Sequence, residues 1–402
     1  MTDKNLKQNR LPKGWEIKKL KEIAYYFIGL TYSPKDVSDK GIIVLRSSNV
    51  QNGKLDFADI VRVNRPVKDS LKVKDGDILM CSRNGSKRLV GKTATIQGLI
   101  EEMTFGTFMT VIRSEYNSYL SWFLISDEFR EQIGGGENPM INQITKYMLD
   151  EIVIPLPPFP QQLRIVSILD EAFAAIATAK ANAEQNFKNA KELFDSYLQN
   201  IFENKGYDWE EKILSEICEV KDGTHDSPKY IKEGIPFVTQ KNIRKEGLSF
   251  ADTKFITDED HNQFYKRSNV SSGDILISMI GANRGMACIV DDNRVFSIKN
   301  VGLIKSSAKI NVFFLLYYLK SSIAMRYILF MSNGGAQEFV GLTALRSFPI
   351  PFPPLKEQQT IVLKLNALSA ETKRLEAIYR QKLVDLEELK KSVLQKAFNG
   401  EL

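Results

Sequence analysis

The chain has 402 residues, a formal net charge of +6 and 43% hydrophobic side chains, enough for two or three cores and too mildly basic for charge alone to name a partner. Its longest apolar run, residues 312–319, is less than half of what a bilayer span needs, and residues 1–19 are polar and basic, so neither membrane insertion nor secretion is expected. Cys81, Cys218 and Cys288 stand singly without paired spacing, which fits reduced thiols in the cytoplasm better than a disulfide framework or a zinc cluster.

Residues 1–155 read as a mixed β domain. It opens with Trp15-Glu16, Lys18, Leu20 and Glu22-Ile23, followed by short β-rich segments at 41–46, 77–81 and 91–97 with Gly, Asn and Asp turns between them. One helix is expected over 119–132, where the aromatic stripe reads as core packing. The phrase Ile154-Pro155-Leu156-Pro157-Pro158 then ends the period of two and marks a boundary. Residues 161–203 contain no Pro or Gly. Ile165, Leu169, Ala172, Ile176, Ala179, Ala183, Phe187, Ala190, Phe194, Tyr197 and Ile201 follow helical spacing there, so 156–204 is expected to be a long helical segment.

The remainder of the chain repeats this text. Trp209-Glu210, Lys212, Leu214 and Glu216-Ile217 match the opening at one constant offset, six identities in nine positions. Asn49-Val50, Leu55 and Phe57-Ala58-Asp59 return as Asn242-Ile243, Leu248 and Phe250-Ala251-Asp252, and Gly76-Asp77-Ile78-Leu79 as Gly273-Asp274-Ile275-Leu276. Residues 205–351 are therefore a second domain, with β segments at 235–239, 274–279 and 286–290 and a helix over 312–330. Ile350-Pro351-Phe352-Pro353-Pro354 echoes the earlier proline phrase, and Gln358 and Ile361-Val362 echo Gln162 and Ile165-Val166. A second long helix is expected in 352–402, over 357–399, with Ile361, Leu365, Leu368, Leu375, Leu386, Leu389 and Val393 as its stripe.

Two long apolar stripes need partners, and equivalent helices of a duplicated chain supply them to each other. The expected fold is thus α+β: two tandem domains, mixed β with a few helices, separated by two long antiparallel coiled-coil helices with pseudo-two-fold symmetry. Some 40 helical residues span roughly 60 Å, more than the roughly 34 Å turn of B-DNA, so the pair suits a ruler. A helical bundle with no measuring role fits the same pattern.

The sequence offers little for catalysis. His225 and His261 do not recur in the first copy, and Gly91-Lys92-Thr93 lacks the earlier glycine of a phosphate-binding loop, since Ser86 stands there. Neither Glu101-Glu102 nor Asp291-Asp292 sits in a nuclease pattern, and no catalytic or metal residue is assigned. The turns after the strands instead carry side chains that pair with base edges. In the first copy these are Thr31, Tyr32 and Ser33, then Arg46, Ser47, Ser48 and Asn49, then Arg83, Asn84, Ser86, Lys87 and Arg88. In the second they are Thr224, His225 and Asp226, then Gln240, Lys241 and Asn242, then Asn283 and Arg284, with Arg244, Lys245 and Lys266 as phosphate contacts.

Over nearly its whole length the chain resembles the specificity subunits of Type I restriction-modification systems. The resemblance is carried by Leu11-Pro12-Lys13-Gly14-Trp15-Glu16, by Asp222-Gly223-Thr224-His225 leading to Gly234-Ile235-Pro236-Phe237, and by the Gly-Asp-Ile-Leu strand. It extends to the Pro-Leu-Pro-Pro and Glu357-Gln358 phrases and to Ala397-Phe398-Asn399-Gly400-Glu401-Leu402. The first copy departs from the pattern with Pro160-Gln161-Gln162 in place of Lys356-Glu357-Gln358 and with Tyr32 where the histidine loop would run.

The resemblance implies two target recognition domains, each reading half of a split site in double-stranded DNA, with helices that set the spacer and dock two methylation subunits. Restriction subunits would join through these. S-adenosylmethionine, ATP and magnesium would belong to the partner subunits, with no cofactor in this chain. Two other classes stay open from the residues alone: a single-chain methyltransferase or restriction enzyme, and a scaffold that binds protein.

Overall fold

The computed structural model describes residues 11–99, 101–134, 142–332 and 338–402, so the polar opening stretch lies outside the described residues as far as residue 10. It divides into two compact units, residues 1–184 with 381–402, and residues 185–380. Each unit therefore takes part of both long helices, whereas the four sequence segments keep the helices separate.

In the first unit, strand Glu16–Lys19 pairs antiparallel with Val153–Leu156, Ile17 opposite Pro155. A two-stranded ribbon tolerates that proline because one side of each strand has no ladder to complete. A four-stranded antiparallel sheet runs in the order Tyr25–Ile28, Met109–Arg113, Ile78–Cys81, Thr93–Thr95. A three-stranded sheet centres on Val37–Leu45, flanked antiparallel by Arg62–Val63 and parallel by Met103–Phe105. Ile78 and Met80 face a core built with the helices, while Leu79 and Cys81 face a second core with Ile43, Leu45 and Val111. Burial on both faces explains why this strand is apolar throughout.

The second unit repeats the topology. Glu210–Ile213 pairs with Pro349–Phe352, and the four-stranded order is Val220–Asp222, Val301–Ile304, Ile275–Ser278, Ala287–Ile289. Ile235–Val238 lies between antiparallel Lys254–Ile256 and parallel Ser297–Ile298.

The repeated phrases have physical causes. Gly76 and Gly273 adopt φ of +86° and +88°, which favours glycine, and the next residue is a buried carboxylate. Asp77 receives a two-pronged contact from Arg113, and Asp274 is met by Lys305. The Trp15 indole donates to Gln161 Oε1 at 2.9 Å and that of Trp209 to Glu357 Oε1 at 2.8 Å, so the exchange of Gln for Glu keeps the acceptor. Gln162 and Gln358 donate back to the carbonyls of Pro157 and Pro353, closing the first turn of each long helix.

The long helices are Phe159–Glu203 and Leu355–Asn399, each starting two residues before the expected 161 and 357. Pro160 is accommodated because the first-turn N–H groups have no partner in the helix anyway. Within the first unit the opening part of one helix lies antiparallel to the closing part of the other, joined by Lys180–Glu387 at 2.6 Å and by Ile165, Leu169, Leu394 and Phe398 in one core. In the second unit Leu198 and Phe202 share a core with Ile361, Val362 and Leu365. The expected stripes are off at places: Leu198 and Phe202 are buried, while Tyr197 is 37% and Leu389 46% exposed.

The single helix expected near the end of each domain is two. Asn117–Phe123 and Asp127–Gln132 are separated at Ser126, and Val312–Lys320 and Ser322–Phe330, bent by 67°, at Ser321. Each serine hydroxyl accepts from the N–H three residues on, starting a new helix where unbroken apolar periodicity suggested continuity. No single helix among the described residues is long and apolar enough to cross a membrane.

Candidate nucleic-acid interface

In the first unit the candidate loops converge on the turn at Gly106–Phe108. Gly29 makes this possible, since a Cβ there would lie 2.1 Å from the Gly106 carbonyl oxygen. The Leu30 N–H donates to the Phe105 carbonyl and the Gly106 N–H to that of Leu45, seating the 31–33 and 46–49 loops on either side. Asn84 Nδ2 donates to Ser47 Oγ at 3.1 Å, tying in the third loop. The Arg83 N–H donates to the Phe108 carbonyl, and its guanidinium lies 5.4 Å from the centre of the Phe108 ring, itself 54% exposed. Thr31, Ser33, Ser86, Lys87 and Arg88 are exposed, and Tyr32, Arg46, Ser47, Ser48 and Asn84 half-buried. The Ser33 N–H and hydroxyl hold the Asp36 carboxyl below the usual carboxylate range. Beneath the third loop, burial pushes the Cys81 thiol up.

The second unit uses the same construction with different side chains. Gly223 approaches the Ile298 carbonyl as Gly29 approaches Gly106, and Lys299-Asn300 form the central turn. The Thr224 N–H donates to Ile298, the Asn300 N–H to Thr224 and the Lys299 N–H to Val238. His225 is held from both ring nitrogens, Nδ1 2.7 Å from Asn300 Oδ1 and Nε2 3.1 Å from Asp222 Oδ2. Asp222 is in turn gripped at 2.9 Å by two nitrogens of Arg267. Lys299 Nζ donates to Ser227, and the Ser278 hydroxyl to Gln240 Oε1. His225, Asp226, Lys241, Arg244, Lys245, Lys266 and Asn283 are exposed.

Four candidates have structural work instead of free polar edges. Asn49 accepts from the Arg46 N–H and donates to the carbonyls of Asp56 and Asp59, and Asn242 accepts from the Thr239 N–H and donates to Ser249 and Thr253. Both are buried, and their amides are engaged in holding their loops. Thr224 is also buried and bonded within its turn to Asp226. Arg284 is ion-paired to Glu338 and donates to Ser332 and the Gly281 carbonyl.

Sequence reasoning passed over Phe108, Lys299, Asn300 and Gly29, and took Gly223 only as part of the Asp222-Gly223-Thr224-His225 phrase. Gly29 and Gly223 stand at the same offset as Trp15 and Trp209, a signal that was available.

Comparison with known proteins gives the family and the fold. The family model described as "Type I restriction modification DNA specificity domain" matches residues 12–185 and again 207–383. The chain is 25% identical to the Type I restriction enzyme EcoKI specificity subunit of Escherichia coli K12, covering 98% of this chain and 90% of that protein. It is 27% identical to the StySPI specificity subunit of Salmonella potsdam, over 99% and 91% of the two chains. The HsdS subunit of Thermoanaerobacter tengcongensis shares the fold at a TM-score of 0.68 and 19% identity, over 98% of each chain. A chain from a structure addressing assembly and conformational transition of the type I R-M system does so at 0.73 and 20%, over 98% of this chain and 99% of that one.

Proposed function

The chain belongs to the Type I restriction modification DNA specificity family, and we propose that within it each unit reads one half of a split site in double-stranded DNA. The observation that carries this reading is the contrast within the duplication. Framework contacts recur in both units, whereas the exposed loop side chains differ, as two readers of different short sequences require. Arg83, Lys87 and Arg88 in one unit and Lys241 and Asn283 in the other suit contacts to bases and phosphates.

In this reading the long helices set the unread spacer and dock two methylation subunits, through which restriction subunits attach. The chain itself is non-catalytic. Adenine methylation with S-adenosylmethionine, and ATP- and magnesium-dependent cleavage, are work of the partners.

The test is to co-express the chain with its candidate methylation subunit and sequence host DNA for methylated adenines. Two short specific blocks around a fixed gap are expected, and exchanging residues 1–155 for those of a relative should change one block only. Methylation at one continuous short site would overturn the reading.

A further inference from the structure

We propose that Arg244, Lys245, Lys320 and Lys373 form a phosphate-binding patch for duplex DNA beside the reading loops of the second unit, a patch that the first unit lacks. The inference rests on the DNA-reading function proposed above and adds a backbone contact that involves a long helix.

The four cations come from three elements that the fold brings to one sheet edge. Arg244 and Lys245 lie on the hairpin Ile243–Arg244 and Gly247–Leu248, which begins directly after the Gln240–Asn242 turn. That hairpin and helix Val312–Lys320 both pack against Ala287–Ile289, the edge strand that follows the Gly281–Asn283 turn. Lys320 closes the helix.

Two hydrogen bonds set this helix beside the second long one. The Asn311 N–H donates to Gln358 Oε1 at 2.8 Å, and the Tyr317 hydroxyl to Asn366 Oδ1 at 2.6 Å. The helices thus run side by side in the same direction, bringing Lys320, one turn past Tyr317, toward Lys373, two turns past Asn366.

All four side chains belong to exposed residues, and none has an ion-pair partner among the described residues. Glu246 is the nearby acid. Burial of the Lys320 stem, followed by the ammonium groups of Lys373 and Lys245, holds its pKa below the ordinary lysine value. Four cations beside this one acid leave a positive excess that favours an anion among them.

Equivalent positions in the first unit are neutral. Gln51 pairs with Lys54 as Arg244 pairs with Gly247, so Gln51 and Asn52 stand for Arg244 and Lys245. Ile125 precedes the Ser126 cap as Lys320 precedes Ser321, and Ala177 is as far past Gln162 as Lys373 is past Gln358. Lys54 and Lys92, whose ammonium donates to the Val50 carbonyl at 2.8 Å, are nearby first-unit cations at other positions. Phosphate is the favoured anion because the patch flanks loops that present base-pairing side chains, so a duplex seated on them passes over it.

The test measures binding of a fluorescent duplex of mixed sequence by the full chain in complex with its methylation subunits, from about 50 to 200 mM salt. The slope of log affinity against log salt falls by about 0.9 for every phosphate that the protein ceases to neutralise, so Lys245→Gln/Lys320→Gln/Lys373→Gln should flatten it by roughly 2 to 3. The matching triple Lys→Arg variant should keep the slope, and thermal melting should show both variants folded. An unchanged slope in the glutamine variant, beside a steep wild type, overturns the patch and leaves the DNA-reading function standing. So does loss of methylation-subunit binding at unchanged slope, which would make this a protein-docking surface. A wild type whose duplex binding ignores salt overturns both.

Discussion

Phe398 meets Tyr119 edge-on, ring centres 5.5 Å apart and planes at 73°. Phe398 is 2% exposed, lies 5.3 Å from the Phe123 ring, and so brings the closing turn of the second long helix into the core of the first unit. Phe202 has the same place in the second unit, against Phe314 and Tyr318. Truncating a buried phenylalanine costs about 3 to 5 kcal/mol through forfeited transfer energy and the cavity left behind. Phe398→Ala should therefore lower the denaturation midpoint of the first unit, and Phe202→Ala that of the second, followed in the full chain with a probe in each unit. Equal shifts in both units from either variant would show that the two cores unfold as one.

Asn49→Ala and Asn242→Ala should reduce stability and leave sequence selectivity in place. Each substitution strands a loop N–H and two acceptors that the buried amide now satisfies, at about 1 to 3 kcal/mol for each group left unpaired. Chemical denaturation together with mapping of methylated sites checks this. A variant of normal stability that methylates a changed motif would return these residues to the reading surface.

This pair also shows where the sequence was legible and where it was not. Trp15, Asp77, Gln162 and their later copies announced the duplication because framework contacts demand the same residue twice. Asn49 and Asn242 carried that same mark of framework, yet an asparagine looks identical whether its amide faces solvent or its own loop. The long helices were visible from their spacing, since neither Pro nor Gly interrupts the stripes after the first turn. The breaks at Ser126 and Ser321 were hidden because a serine cap leaves apolar periodicity on both sides intact. The convergence on Gly106 and on Lys299 was out of reach, depending on parallel strand pairing between distant segments.

Arg83 and Arg284 occupy related loops and should behave differently. Arg83 is exposed over Phe108, so Arg83→Ala should weaken duplex binding and relax selection at one half-site, by about 1 to 3 kcal/mol where it pairs with a base. Arg284 is held by Glu338 and Ser332, so Arg284→Ala should loosen its loop and lower the stability of the second unit. Binding to a panel of single-base variants, beside thermal melting, separates the two. If Arg284→Ala relaxed selection at unchanged stability, its ion pair would be a resting state and not its role.

Acid should destabilise the second unit through His261. Its ring is buried, Nδ1 lies 2.8 Å from the Ser297 hydroxyl, and burial lowers its pKa from the ordinary histidine value of 6.5 despite the opposing pull of Asp258. Below that value the unfolded chain binds a proton that the folded unit resists, so the unfolded state gains as pH falls. Stability from this group is therefore fully present above about pH 6.5 and lost progressively as pH drops through the lower folded value. His261→Gln should remove that part of the pH dependence while leaving the first unit, which has no histidine, unchanged. Urea denaturation at about pH 8 and pH 5 makes the comparison. An acid-induced loss of the same size in wild type and variant would place the sensitivity on groups other than His261.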